Sequence, residues 1–195
     1  MTLTRKGYGQ VEPNHLSAQL TGQIFSDLPL DETVAVLQNG EFMYYDGVAG
    51  KVTGTSTNIT EPYLVYNEEK IYTDWGTRKD FAMIREVDNY YTENDITSGD
   101  RKGTTGAKVI GQQNSGYRLD GFAPRLFKIN IGDIFTTNMV TLGDYNVGDK
   151  LVPTFNANSN TLVLSTGAGT ENVYLVLKTT TMPDGQPGLK LQRIA

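Results

Sequence analysis

The side chains able to do chemistry in this chain are almost all carboxylates. There is no cysteine, and the single histidine, His15, lies in a polar N-terminal stretch. The commonest nucleophile, general base and soft-metal ligand are therefore nearly missing. Glu68, Glu69 and Asp74 cluster in sequence beside Trp75, and Asp144 lies close to Asp149. Carboxylate catalysis needs two such groups facing each other across a cleft, one with a raised pKa. Nothing in these spacings imposes that arrangement, and acidic residues in turns are ordinarily solvated turn formers. Asp95, Ser98 and Asp100 fall short of a calcium loop's alternating ligands. Gly103 to Gly111 lacks the Gly-Lys-Ser/Thr ending of a phosphate loop. The residues thus point to no catalytic group, no metal and no cofactor. The expected protein acts through its surface.

The bulk properties limit that surface. Net charge is −5 over 195 residues, with a pI near 4.9. An acidic surface repels nucleic-acid phosphates, so no nucleic-acid partner is expected. No apolar run approaches a membrane span, and residues 1–10 lack the apolar core of a secretion signal, so no membrane partner is expected either. The apolar fraction, 38%, is below that of an average globular domain, with Thr and Asn making up much of the difference. Without disulfides, stability must come from packing and strand pairing. A cysteine-free chain fits synthesis in a reducing cytoplasm.

The positioning elements read as strands. Residues 1–30 are broken by Gly7, Gly9, Pro13, Gly22 and Pro29 and form an N-terminal arm. Leu16, Leu20 and Ile24 share a face if residues 16–25 make a brief helix. Tyr8, Leu16, Leu20, Ile24 and Phe25 are the arm's expected contacts with another surface. In residues 34–45, Asn39-Gly40 between apolar runs predicts a two-residue type I′ hairpin. That register sets Leu37 opposite Phe42, Ala35 opposite Tyr44 and Val36 opposite Met43. Both faces of the hairpin are apolar, so each needs a cover. The core supplies one, and the arm or a second subunit supplies the other. Asp46-Gly47 and Gly50 turn the chain again.

Tyr63 to Asn67 and Ile71 to Thr73 read as a second hairpin, with Trp75 as a packing residue or lid. A projecting loop is expected over residues 88–118. Residues 126–131, 134–137, 145–152, 161–164, 173–178 and 189–194 alternate or run apolar between Gly-Asp and Pro-Asp-Gly turns. Gly132-Asp133 and Gly148-Asp149 are read as paired structural turns, glycine taking the unusual φ and aspartate bonding the turn backbone. The fold expected is all-β: a β-barrel or β-sandwich body over residues 31–195 with an extended N-terminal arm over residues 1–30.

Residues 124–138 (Pro-Arg-Leu-Phe-Lys-Ile-Asn-Ile-Gly-Asp-Ile-Phe-Thr-Thr-Asn), residues 147–151 (Val-Gly-Asp-Lys-Leu) and residues 178–194, with the turn at 182–188, resemble tailed-bacteriophage head decoration (cement) proteins. The stretch from Gln38 to Tyr45 resembles the strand that opens the barrel in such proteins. The resemblance covers about two-thirds of the chain and is one of style and segment order. It implies a structural virion protein on the outer face of the capsid, made in the host cytoplasm. Its partner is the major capsid protein, whose neighbouring subunits it clamps, and it implies no catalytic residue. Self-association as a dimer or trimer stays open. The alternative is a carbohydrate- or host-surface-binding module of a phage fibre, with Trp75 grouped with Tyr72, Tyr90 or Tyr91 in one groove.

Overall fold

The computed structural model describes residues 1–3, 9–34, 37–67, 71–72, 78–79, 123–183 and 185–195. The expected sites at Tyr8, Trp75, Tyr90, Tyr91, Glu68, Glu69, Asp74, Asp95 and Asp100, and the loop at 88–118, lie outside the described residues.

The described chain is nearly all β, with an antiparallel sheet curled into a half-barrel. In chain order the strands are β1 (Thr2–Leu3), β2 (Val11–His15), β3 (Ile24–Phe25), β4 (Phe42–Asp46), β5 (Lys51–Thr53), β6 (Tyr63–Val65), β7 (Ile71–Tyr72) and β8 (Arg78–Lys79). They continue with β9 (Leu126–Phe127), β10 (Ile134–Thr137), β11 (Gly143–Asp144), β12 (Lys150–Asn156), β13 (Thr161–Thr166), β14 (Tyr174–Thr181) and β15 (Pro187–Arg193). One helical turn, α1 (Ser17–Thr21), ends at Gly22 in the left-handed region. Among the described residues the main sheet runs β2-β10-β15-β14-β12-β13-β4-β6-β9-β3, with β5 added beside β4.

The sheet is apolar on both faces where the sequence requires it. Strand alternation sends Phe42, Leu64, Phe127 and Ile24 into the main core with Phe135, Leu151, Tyr174, Val176 and Leu191. Phe42, Phe135 and Tyr174 form its aromatic centre, with ring centroids 5.3 to 6.3 Å apart. The intervening residues Met43, Val65 and Leu126 face the other way. There Leu30, Val34, Leu37 and Val52 cover them, with Phe25, Leu28, Tyr45 and Tyr63 at the margin. The second face is therefore closed largely by Phe25, Leu28, Leu30, Val34 and Leu37 of the same chain.

Residues 9–30 run as an extended segment laid along the body. Strand β2 pairs with β10, β3 pairs with β9, and Val11, Leu16 and Ala18 are buried in the main core. Side chains reinforce the seam. Thr137 Oγ1 donates to Gln10 O at 2.7 Å, Asn138 Oδ1 accepts from Gln10 N at 2.7 Å, and Thr136 Oγ1 donates to Asn14 Oδ1 at 2.6 Å. The sheet path thus crosses the expected boundary at residue 30, because the body needs these strands to cover its edges.

Two hairpin expectations are corrected. Residues 38–41 do turn, with Glu41 N donating to Gln38 O at 3.2 Å. Positive φ occurs at Gly40 (95°) but not at Asn39, which is the pattern of a type II turn and not of type I′. Leu37 and Phe42 lie in different apolar clusters, so they do not face each other. Ala35 and Val36 lie outside the described residues. The competing interaction is long-range. The buried Asn39 amide accepts from Asn67 N at 2.8 Å and donates to Asn67 O at 3.2 Å. The strand after the turn instead pairs with β5, β6 and β13. The second hairpin also differs: β6 pairs with β4 and β9, whereas β7 pairs with β8.

Pro153 is accommodated in β12 because that strand pairs with β14 only at Lys150 and Leu151. Beyond these, β13 is its neighbour on one side, so the missing N–H lies where no ladder bond is required.

Candidate interaction surface

Four strands carry a repeated local design. Ile134, Gln192, Leu175 and Lys150 stand in one row across β10, β15, β14 and β12. Ile134 and Lys150 are each the first residue of their strand, and each follows an Asn-x-Gly-Asp turn, at residues 130–133 and 146–149. The strands are antiparallel throughout, so the turns enter the row from opposite sides, related by a local twofold between β14 and β15.

The hydrogen bonds repeat under that twofold. Gly132 N donates to Arg193 O and Gly148 N to Val176 O, both at 2.9 Å. Arg193 N donates to Asp133 O at 3.0 Å and Val176 N to Asp149 O at 2.9 Å. Within each turn the aspartate N–H donates to the asparagine carbonyl, at 3.0 and 3.2 Å. The asparagine N–H donates to the aspartate carboxylate at 2.8 Å in both. The glycines have φ of 98° and 95°, a conformation that a Cβ disfavours. Both turns are thus fixed by side-chain and sheet bonds before anything binds.

The second residue of each turn is apolar and turned to solvent. Ile131 is 71% exposed and Val147 is 66% exposed. Ile194 follows Arg193, the partner of Gly132, and so adds a further exposed apolar side chain near Ile131. Solitary exposed apolar residues are ordinary on protein surfaces. Ile131 and Val147 stand at equivalent positions of two symmetric turns and are candidates for contact with another surface. Little conformational entropy remains to be lost at these positions when a partner docks.

Of the five arm residues expected to act together, the four that are described, Leu16, Leu20, Ile24 and Phe25, have different surroundings. Leu16 is 2% exposed and belongs to the core. Ile24 packs against the main core and Phe25 against the second cluster, where it stacks on Tyr63 with centroids 5.3 Å apart. Among the four described, only Leu20, on α1, is strongly exposed, at 83%. The site residues that sequence reasoning passed over are Ile131 and Val147. The available signal was the repeated Asn-x-Gly-Asp string, of which only the Gly-Asp pairs were read, for their turn chemistry, with Ile131 and Val147 assigned to strands.

Several of the described carboxylates are engaged in structural roles. Asp144 accepts from the Thr2 hydroxyl, whereas Asp149 closes its own turn, so the two do not form a facing pair. Burial pulls the Asp31 pKa upward, but the Lys51 ammonium at 2.5 Å and the Thr33 hydroxyl and N–H leave it below the ordinary carboxylate value. Glu61 is likewise raised by burial, yet Arg193 at 2.9 Å and Lys128 at 3.3 Å bring it below the usual range. Asp46 is lowered by the Ala49 N–H, the Ser56 hydroxyl and further donors of its own loop. His15 is exposed at the end of β2. Among the described residues no three His, Asp or Glu side chains group as metal ligands, and no helix is long and apolar enough to cross a membrane.

No family model matches the chain, and no curated protein or solved structure matches it.

Proposed function

We propose that this chain is a structural virion protein that binds the outer face of a tailed-bacteriophage head and reinforces contacts between neighbouring major capsid subunits. In this reading it is not an enzyme. The observation that carries the proposal is the pair of symmetry-related turns displaying Ile131 and Val147. The segments that resemble decoration proteins, 124–138, 147–151 and 178–194, contain the first turn, most of the second, all of β10 and β15, and parts of β12 and β14. A lattice of capsid subunits offers repeated, fixed partners, and many copies bound through small apolar contacts together add substantial contact area. Apolar turn tips on a rigid β scaffold supply such contacts at low ordering cost. The acidic surface disfavours capture by free nucleic acid.

The arm's part in the proposal changes. Val11, Leu16 and Ala18 are committed to the chain's own core, so the contact with the shell is assigned to the turns. The test is co-sedimentation of the purified protein with empty phage heads. Saturable binding supports the reading, and absence of binding to heads stripped of their own decoration protein contradicts it.

A further inference from the structure

Among the described residues, Lys51 is paired with Asp31, and Lys128 and Arg193 are paired with Glu61. Lys150, Lys178 and Lys190 make no ion pair and no side-chain hydrogen bond among the described residues. All three stand on the outward face of the neighbouring strands β12, β14 and β15. We propose that this face docks the acidic surface of another protein. The proposal does not depend on that protein being a capsid subunit.

Strand register gathers the lysines. In β15, Leu189 and Leu191 are buried in the main core, so Lys190 and Gln192 face outward. In β14, Tyr174 and Val176 are buried, so Leu175 faces outward beside its partner Gln192. Leu151 is buried too, which turns Lys150, the partner of Leu175, to the same side. The register of β14 against β15 then shifts by one residue: Val176 is opposite Leu191, whereas Lys178 is opposite Lys190. Unbroken pairing would set Leu177 opposite Lys190 and send residue 178 to the core side. The bulge instead re-aims Lys178 outward, where it is exposed. Two like charges directly opposite each other on a sheet repel. No described carboxylate relieves that repulsion. Glu12 is the partner of Thr136, itself the partner of Lys190, so it stands one strand beyond and makes no ion pair with the lysine. An anionic partner laid on this face would supply the missing charge.

The company of the lysines selects a protein over a nucleic acid. The chain carries a net charge of −5, so a long polyanion is repelled by the rest of its surface. The outward positions of β10, β12, β14 and β15 hold no arginine and no aromatic ring, the groups that grip phosphates bidentately and stack bases. Ile134, Leu175 and Leu177 lie partly exposed among the lysines instead. Carboxylates interspersed with apolar side chains complement such a face. Protein surfaces offer that mixture, and a phosphate backbone does not. Complementary charge also fixes orientation and speeds encounter.

The test is an amide-resonance titration of the full chain at low salt with a short peptide of glutamates and leucines. The same peptide with glutamine for glutamate, an oligothymidylate of equal charge and phosphatidylglycerol vesicles are titrated alongside. The glutamate peptide is expected to give saturable shifts at Lys150, at residues 175–178 and at Lys190. These are expected to vanish in about 1 M salt, where charges are screened within about 3 Å. Lys178→Gln combined with Lys190→Gln is expected to weaken binding about tenfold. Lys178→Glu sets opposite charges across the strands, so it is expected to raise the melting temperature while weakening binding, which separates lost docking from lost folding. A melting temperature unchanged or lowered by Lys178→Glu would contradict the repulsion on which the proposal stands. No saturable shift, equal binding of the glutamine peptide, or tighter binding of the oligothymidylate or the vesicles would each overturn it. So would unchanged binding in both variants, or concentration-dependent shifts at the same residues without peptide, which would seat a second copy of this chain there.

Discussion

The carboxylate of Asp133 holds Ser17 by two hydrogen bonds, from the Ser17 backbone N–H at 3.0 Å and from its hydroxyl at 2.9 Å, across 116 residues of sequence. The same carboxylate accepts Asn130 N, so it closes its own turn and anchors α1. Its twofold counterpart Asp149 closes its turn alone, at an exposed position. The two aspartates close equivalent turns but differ in burial and in what lies beyond the turn, Asp133 being buried and bonded to Ser17. Asp133→Ala leaves three donors without their acceptor and is expected to cost about 3 kcal/mol. Asp149→Ala is expected to cost about 1 kcal/mol. Urea denaturation of the two variants checks the ordering. Equal losses would contradict a stabilising role for the buried Asp133 beyond closing its own turn.

Deletion of residues 1–25 is expected to abolish cooperative folding. It removes β2 from the edge of β10 and takes Val11, Leu16 and Ala18 out of the core. Far-ultraviolet circular dichroism during heating checks this. A truncated protein that still melts in one sharp transition would mean that the rest of the body folds without its N-terminal strands.

Tyr174→Phe is expected to leave stability unchanged or raise it by up to about 1 kcal/mol. The hydroxyl of Tyr174 is fully buried and has no hydrogen-bond partner among the described residues, so its desolvation is uncompensated. Burial also pushes its ionisation far above the ordinary tyrosine value, so the ring stays neutral in the folded state. A clear loss of stability on removing the hydroxyl, measured by the urea midpoint, would reveal a contact that offsets the burial.

Acid is expected to destabilise the protein. The folded-state pKa values of Asp31, Asp46 and Glu61 lie below their ordinary values. The unfolded chain therefore binds protons first as pH falls. The stability these groups contribute is fully present above the ordinary carboxylate range near pH 4 and is lost as pH falls through the lower folded values. Thermal melts across that interval check the sign. Glu61→Gln removes one of the lowered groups, and its acid-induced loss is expected to be shallower than that of the unsubstituted protein.

The parts of the fold that could be read from the sequence were those set by local chemistry. Gly132-Asp133 and Gly148-Asp149 turn as glycine φ and aspartate bonding require. The runs read at 161–164, 173–178 and 189–194 fall on β13, β14 and β15, whereas those at 126–131 and 145–152 are strand only at Leu126–Phe127 and from Lys150, and the apolar character of both faces of residues 42–45 is matched by two separate clusters. What failed was set by partners distant in sequence. Asn39-Gly40 has strong hairpin chemistry, but Asn39 is taken up by the backbone of Asn67, which redirects the strand that follows. Val11 and Leu16 are short apolar interruptions in a polar stretch, and only the register of β2 against β10 places them inside. Ile131 and Val147 read as strand residues ahead of their Gly-Asp pairs, and their places at exposed turn positions depend on where Arg193 and Val176 hold each turn. Local strings specify a turn, whereas the sheet decides which side chain the turn displays.

Co-sedimentation with empty heads of the double variant Ile131→Asp with Val147→Asp tests the central claim most directly. Both residues are exposed and contribute little to the core, so the variant is expected to fold with an unchanged melting temperature. The account predicts that head binding weakens by about tenfold or more, because two apolar contacts are replaced by solvated charges. Binding equal to that of the unsubstituted protein would contradict it.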